Sequence, residues 1–70
     1  MEAYKVDARG RSCPEPVVMT QKAIKSAAIY IEVTVDNTVA RDNVCRFAEN
    51  YGYKTESRED GEDIVLSLKK

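Results

Sequence analysis

Histidine is absent from this 70-residue sequence, and cysteine occurs only twice, as Cys13 and Cys45. Without histidine the commonest general base is missing, and so is every Cys-His pairing, which argues against peptide hydrolysis of the cysteine-protease type. Two cysteines far apart in the chain also leave no ligand set from which a zinc site could be drawn. Three glycines are present, and none belongs to a Gly-rich phosphate-binding loop. No apolar run approaches the length that spans a bilayer, and Met1-Glu2-Ala3-Tyr4-Lys5 lacks the apolar core of a secretory signal. The chain therefore reads as cytoplasmic, without a membrane partner, and in a reducing compartment distant cysteines are expected as free thiols. A formal net charge of −1 offers no overall electrostatic footprint for nucleic acid. The length predicts one domain over residues 1–70, near the small end of what folds without a disulfide or a metal.

What is present is a regular change of hydrophobic period. Tyr4, Val6 and Ala8 alternate with Lys5 and Asp7, the pattern of a strand with one buried face. Val17, Thr20, Ile24 and Ala27 recur at helical spacing and predict a first helix from Pro14 to about Ala27. From Ile29 to Val35 the period returns to two: Ile29, Ile31, Val33 and Val35 face one way, and Tyr30, Glu32 and Thr34 the other. Asp36-Asn37-Thr38 supplies turn and N-cap chemistry for a second helix with Val39, Ala40, Val44, Phe47, Ala48 and Tyr51 as its apolar face and Gly52 as its stop. Tyr53 to Arg58 reads as a strand and Glu59-Asp60-Gly61-Glu62 as a hairpin turn. Ile64, Leu66 and Leu68 then form the inward row of a last strand.

One apolar row per strand and one stripe per helix predict an α/β two-layer sandwich in the order β-α-β-α-β-β. Its four-stranded mixed sheet carries both helices on one face and leaves the other face solvated. The order in which the strands pair is not readable from the pattern.

The segment that carries chemistry is Cys13-Pro14-Glu15-Pro16, directly ahead of the first helix. Proline has its φ set near the helical value and lacks only an N–H that a first-turn residue does not use, so Pro14 marks the first helical position. Cys13 then stands at the N-cap, where free N–H groups and the positive end of the helix dipole favour thiolate over thiol. Arg9 and Arg11 add two cations nearby, and Gly10 allows a tight turn. The competing reading makes Cys13 a small buried residue in a turn and the prolines mere punctuation. Glu15 fits the first turn as a carboxylate facing the helix dipole, with a proton-accepting role as the alternative. Asp7 is placed to brace the loop through its backbone.

The stretch Asp7-Ala8-Arg9-Gly10-Arg11-Ser12-Cys13-Pro14-Glu15-Pro16, together with the element order, resembles the TusA-like (SirA-like) sulfur-carrier family, whose mark is Cys-Pro-x-Pro at the start of the first helix. Val35-Asp36-Asn37, Asn43-Val44, Phe47-Ala48 and Gly52-Tyr53 look more like its YedF-type branch, which is linked to selenium metabolism. Arg11 stands where a leucine is common in the family. The resemblance implies a protein that accepts a sulfane sulfur as a persulfide on Cys13 and relays it. Its partners would be a persulfide donor, such as a cysteine desulfurase or rhodanese-like protein, and a thiol acceptor protein. Neither a metal nor an organic cofactor is required for that chemistry.

A relay needs a docking surface. By the helical period Val18 and Met19 turn away from the predicted core stripe and, with Lys22 and Lys25, would form a patch one turn from Cys13; scattered exposed apolar residues are the plain alternative. Cys45 reads as a half-buried thiol at the border of the second helix's apolar face. Only Tyr30 and Tyr53 could reach the open sheet face as stacking platforms for nucleic acid, and Glu32 beside them argues against that use. Two rival functions remain: a non-catalytic interaction or regulatory module, and a thiol redox switch pairing Cys13 with Cys45.

Overall fold

The computed structural model describes residues 4–11, 15–26 and 29–70. Its elements are β1 (Tyr4–Asp7), α1 (Glu15–Lys25), β2 (Tyr30–Val35), α2 (Thr38–Asn50), β3 (Lys54–Asp60) and β4 (Asp63–Lys69). The four strands form one sheet in the order β1-β2-β4-β3. β1 runs parallel to β2, with Val6 opposite Val33, whereas β4 is antiparallel to both of its neighbours and sets Leu66 between Val33 and Ser57. Helix α1 packs on β1 and β2, and α2 on β4 and β3. The predicted βαβαββ sandwich with a mixed sheet is therefore the observed fold. Among the described residues no helix is long and apolar enough to cross a membrane.

The core follows from the alternation in β2 and β4: Ile31, Val33, Val35, Leu66 and Leu68 are completely buried against Ala23, Val44 and Ala48. Alanine at the contact points lets each helix approach the sheet closely, so the branched side chains of the strands fill the layer between them. Thr20 is a buried polar residue, and its hydroxyl donates to the Pro16 carbonyl at 2.8 Å. Its polarity is thereby satisfied within the helix. Asn37 caps α2, its Oδ1 accepting from the Ala40 N–H at 2.8 Å, and Gly52 follows the C-cap with φ +85°.

Several local expectations are corrected. Helix α1 buries Pro16, Thr20 and Ala23, with Val17, Met19 and Ile24 half-buried around them. The stripe is turned toward its smallest residues, because the helix rests closest to the sheet there. Met19 consequently packs against the core instead of pointing away from it, while Val18 remains exposed. The predicted helix limits at Pro14 and Ala27 lie outside the described residues.

Tyr4 and Ile29, placed by alternation in inward rows, are 43% and 54% exposed. Tyr4 is the first residue of an edge strand and Ile29 precedes β2, so the alternation runs on past the covered part of the sheet. In α2, Val39 and Tyr51 are exposed and the buried set narrows to Ala40, Val44 and Ala48. Phe47 instead packs its ring on Tyr51, with centroids 4.9 Å apart. Tyr53 is buried in the core, not on the open face. The hairpin is tighter than expected: β3 and β4 continue to the pair Asp60 and Asp63, leaving Gly61 (φ +65°) and Glu62 as the turn. Val65 is buried too, on the outer row, because β4 is flanked on both sides.

Candidate functional site

Because β1 and β2 are parallel neighbours, the loops that leave their carboxyl ends stand side by side. The Ala8 N–H donates to the Thr34 carbonyl at 2.8 Å, which extends the parallel pairing beyond β1. Gly10 then turns with φ +70°, a conformation that costs glycine little, and its N–H donates to Asp36 Oδ2 at 2.7 Å. Asn37 Nδ2 donates to the other oxygen, Oδ1, at 3.0 Å. These two donors, Gly10 foremost, hold the Asp36 carboxyl below the ordinary aspartate value. The residue next to the α2 cap thus pins the loop that leads into α1.

Arg9 makes a second brace. Its Nε and Nη2 donate to the two carboxylate oxygens of Asp7, each at 2.9 Å, and Nη1 donates to Asp63 Oδ2 at 3.1 Å. The Arg9 backbone N–H also donates to Asp7 Oδ1 at 3.2 Å, which is the bracing of the loop backbone expected of Asp7. The group sits in a shallow depression of the open sheet face with Lys5, Glu32 and Thr34. The Asp7 pKa is lowered to about 2 by the Arg9 side-chain hydrogen bonds, then by the Arg9 N–H. The Arg9 guanidinium is shifted up by the same contacts with Asp7 and Asp63.

The sign of the pH effect follows. A carboxyl whose folded pKa lies below its unfolded value contributes stability above the ordinary value near 3.8 and loses it as pH falls toward about 2. An NMR titration should find the Asp7 midpoint near 2 and, in an Arg9→Ala variant, a return toward 3.8. A wild-type midpoint near 3.8 would mean that the fork does not form in solution.

Cys13 and Pro14 lie outside the described residues. Arg11 precedes the segment and Glu15, the first residue of α1, follows it; Arg11 Nη1 donates to Glu15 Oε2 at 3.3 Å. Glu15 is exposed in the first turn, where a carboxylate complements the helix dipole. Both arginines expected to favour a Cys13 thiolate are thus paired in place, Arg9 with two carboxylates and Arg11 with one. Pro16 is buried in the first turn of α1.

Of the expected docking patch, Val18, Lys22 and Lys25 are exposed on α1, at spacings that share one face, while Met19 leaves it for the core. Cys45 is a half-buried free thiol packed against the core, and burial is the main cause that pushes its pKa up. Among the described residues no group of three or more His, Cys, Asp or Glu is placed to hold a metal ion. The reading of residue types did not single out Asp63, nor the contact of Asp36 with Gly10. No local signal marks either, since Asp63 reaches Arg9 across nearly the whole chain and Asp36 looks like ordinary turn chemistry.

A small βαβαββ domain, with a Cys-Pro-Glu-Pro segment entering its first helix and the preceding loop pinned onto the next βα turn, defines the class. The chain belongs to the TusA family: the family described as Sulfurtransferase TusA matches residues 4–70. A candidate sulfur carrier protein of Methanocaldococcus jannaschii is 42% identical, the match covering 77% of this chain and 83% of that protein. The crystal structure of a SirA-like protein from Desulfitobacterium hafniense superposes with a TM-score of 0.86 at 33% identity, covering 94% of this chain and 95% of the other.

Proposed function

We propose that this protein is a sulfur carrier that takes a sulfane sulfur onto Cys13 and hands it to a partner protein. The observation that carries the reading is the match of the TusA family across residues 4–70, a span that includes Cys13-Pro14-Glu15-Pro16; the contacts of Asp7 with Arg9 and of Asp36 with Gly10 on the chain just before that segment support it. In the loading step the Cys13 thiolate attacks the terminal sulfur of the donor persulfide. The donor's S–S bond breaks, the donor leaves as a thiolate, and the new S–S bond is on Cys13. The acceptor's thiolate then repeats the attack and Cys13 leaves as thiolate, with no net oxidation in either step. The donor is a cysteine desulfurase or rhodanese-like protein, the acceptor a protein thiol, and the setting cytoplasmic. Val35-Asp36-Asn37 and Gly52-Tyr53 favour the YedF-type branch, and with it sulfur or selenium metabolism.

Intact mass after incubation with a cysteine desulfurase and free cysteine tests the reading. The expected result is a gain of one sulfur that maps to Cys13 and is removed by a reductant. No adduct would point to a non-catalytic interaction module, and a Cys13–Cys45 disulfide to a redox switch.

Docking is assigned to the exposed face of α1 that runs from Val18 in its first half to Lys22 and Lys25 in its last turn. Val18→Ser should change stability by no more than about 0.5 kcal/mol, as surface substitutions do. Relay from loaded protein to an acceptor should slow, while loading by a small-molecule persulfide stays the same. Unchanged relay would place the docking surface elsewhere.

A further inference from the structure

The edge of the sheet formed by β3 is seven residues long, against four for the opposite edge, β1. Its outer row, on the face without helices, reads Lys54, Glu56, Arg58, Asp60, and all four side chains are exposed. Within the molecule the two end charges of this row face like charges and the two middle ones face uncharged residues. Across the pairing with β4, Lys54 stands opposite Lys69, Glu56 opposite Ser67, Arg58 opposite Val65 and Asp60 opposite Asp63. None of the four takes part in an ion pair among the described residues. Directly opposed like charges weaken a sheet, and an open edge leaves a row of N–H and C=O groups unpaired.

We propose that β3 is the interface for a second copy of this chain, paired antiparallel about a two-fold axis at Ser57. In that register Lys54 meets Asp60 of the second copy and Glu56 meets Arg58 of the second copy, and the symmetry repeats each pair. Every outer-row charge of β3 then faces its opposite. The helix-side row sets Thr55 against Glu59 and Ser57 against itself, so no bulky group blocks the approach. Because opposed residues must share a sheet face, a symmetric register can slip only in steps of two. A pairing centred on Glu56 would set Lys54 against Arg58 and Glu56 against itself. One centred on Arg58 would set Glu56 against Asp60 and Arg58 against itself. The charge order therefore selects one long register and repels its neighbours, while the density of charge discourages hydrophobic foreign edges.

The two four-stranded sheets would join into one of eight, with the β1 strands at its far ends. Seven strand spacings of about 4.8 Å separate them by roughly 34 Å, which leaves both β1–α1 loops open to partners of their own. One strand-to-strand edge is a small interface, so the dimer is a weak, concentration-dependent one.

Sedimentation velocity on the folded protein, from micromolar to millimolar concentration at low salt, tests the assignment. The wild type should pass from monomer to dimer, and high salt should reverse this because the pairs are exposed. Arg58→Glu should weaken association by about tenfold or more, since each Glu56 would then face a glutamate. The double variant Glu56→Arg with Arg58→Glu exchanges the two signs within the same register and should restore the dimer. Circular dichroism of each variant confirms that the fold is retained. A wild type that stays monomeric at millimolar concentration overturns the proposal. So does a dimer indifferent to Arg58→Glu, or one that the charge exchange fails to restore.

Discussion

Cys13→Ser should take up no sulfur from a desulfurase while unfolding at nearly the wild-type midpoint. A serine hydroxyl is not appreciably ionised at neutral pH and forms no persulfide, so the loss should be complete rather than graded. The chain provides its own control, since Cys45 remains in the variant. That thiol is half-buried and its pKa is raised, chiefly by burial, so it should stay unloaded. Intact mass and peptide mapping read the outcome. Sulfur retained on Cys45 in the variant would move the acceptor site to α2 and end the assignment of Cys13. The complementary variant, Cys45→Ser, should load as the wild type does.

The second large effect is on stability. Leu66 is completely buried on β4, between Val33 of β2 and Ser57 of β3, beneath the helix layer. Leu66→Ala removes buried methyl groups and leaves a cavity among residues that cannot all close upon it. The expected cost is about 2–5 kcal/mol. For a domain of this size that is a large part of the total, given that native proteins keep only about 5–15 kcal/mol. Urea denaturation should show the midpoint fall sharply at an unchanged slope. A loss below about 1 kcal/mol would mean that Leu66 is not in the middle of the sheet's covered face.

The loop chemistry and the core answer different questions about one chain. Asp7, Arg9 and Asp63 are partly exposed, and exposed ion pairs contribute little to folding. Their effect is to fix Arg9 against the end of β1 and the start of β4. The proposed relay through Cys13 would benefit from an ordered approach to that residue, since donor and acceptor must each meet it in a productive orientation. The requirement on the core is only to keep the two parallel strands in register, so that Gly10 can reach Asp36.

Much of this was legible in the residues alone. The alternation from Ile31 to Val35, the cap at Asn37, the glycine that ends α2 and the turn at Gly61 are local instructions, read by the chain from a few neighbours at a time. The element order and the Cys-Pro-Glu-Pro segment required no more than that, and they sufficed to identify the family. Tertiary structure decided the rest. The insertion of β4 between β2 and β3 buried Val65 as well as Leu66, and brought Asp63 across to Arg9. The parallel pairing of β1 and β2 turned Asp36 from a turn residue into the anchor of Gly10. The face that α1 buries, with Pro16, Thr20 and Ala23, was set by its packing on the sheet, which left Met19 half-buried against the core. Periodicity records which residues avoid water, whereas the identity of the partner that excludes the water depends on strand order and helix placement, which no short stretch of sequence contains.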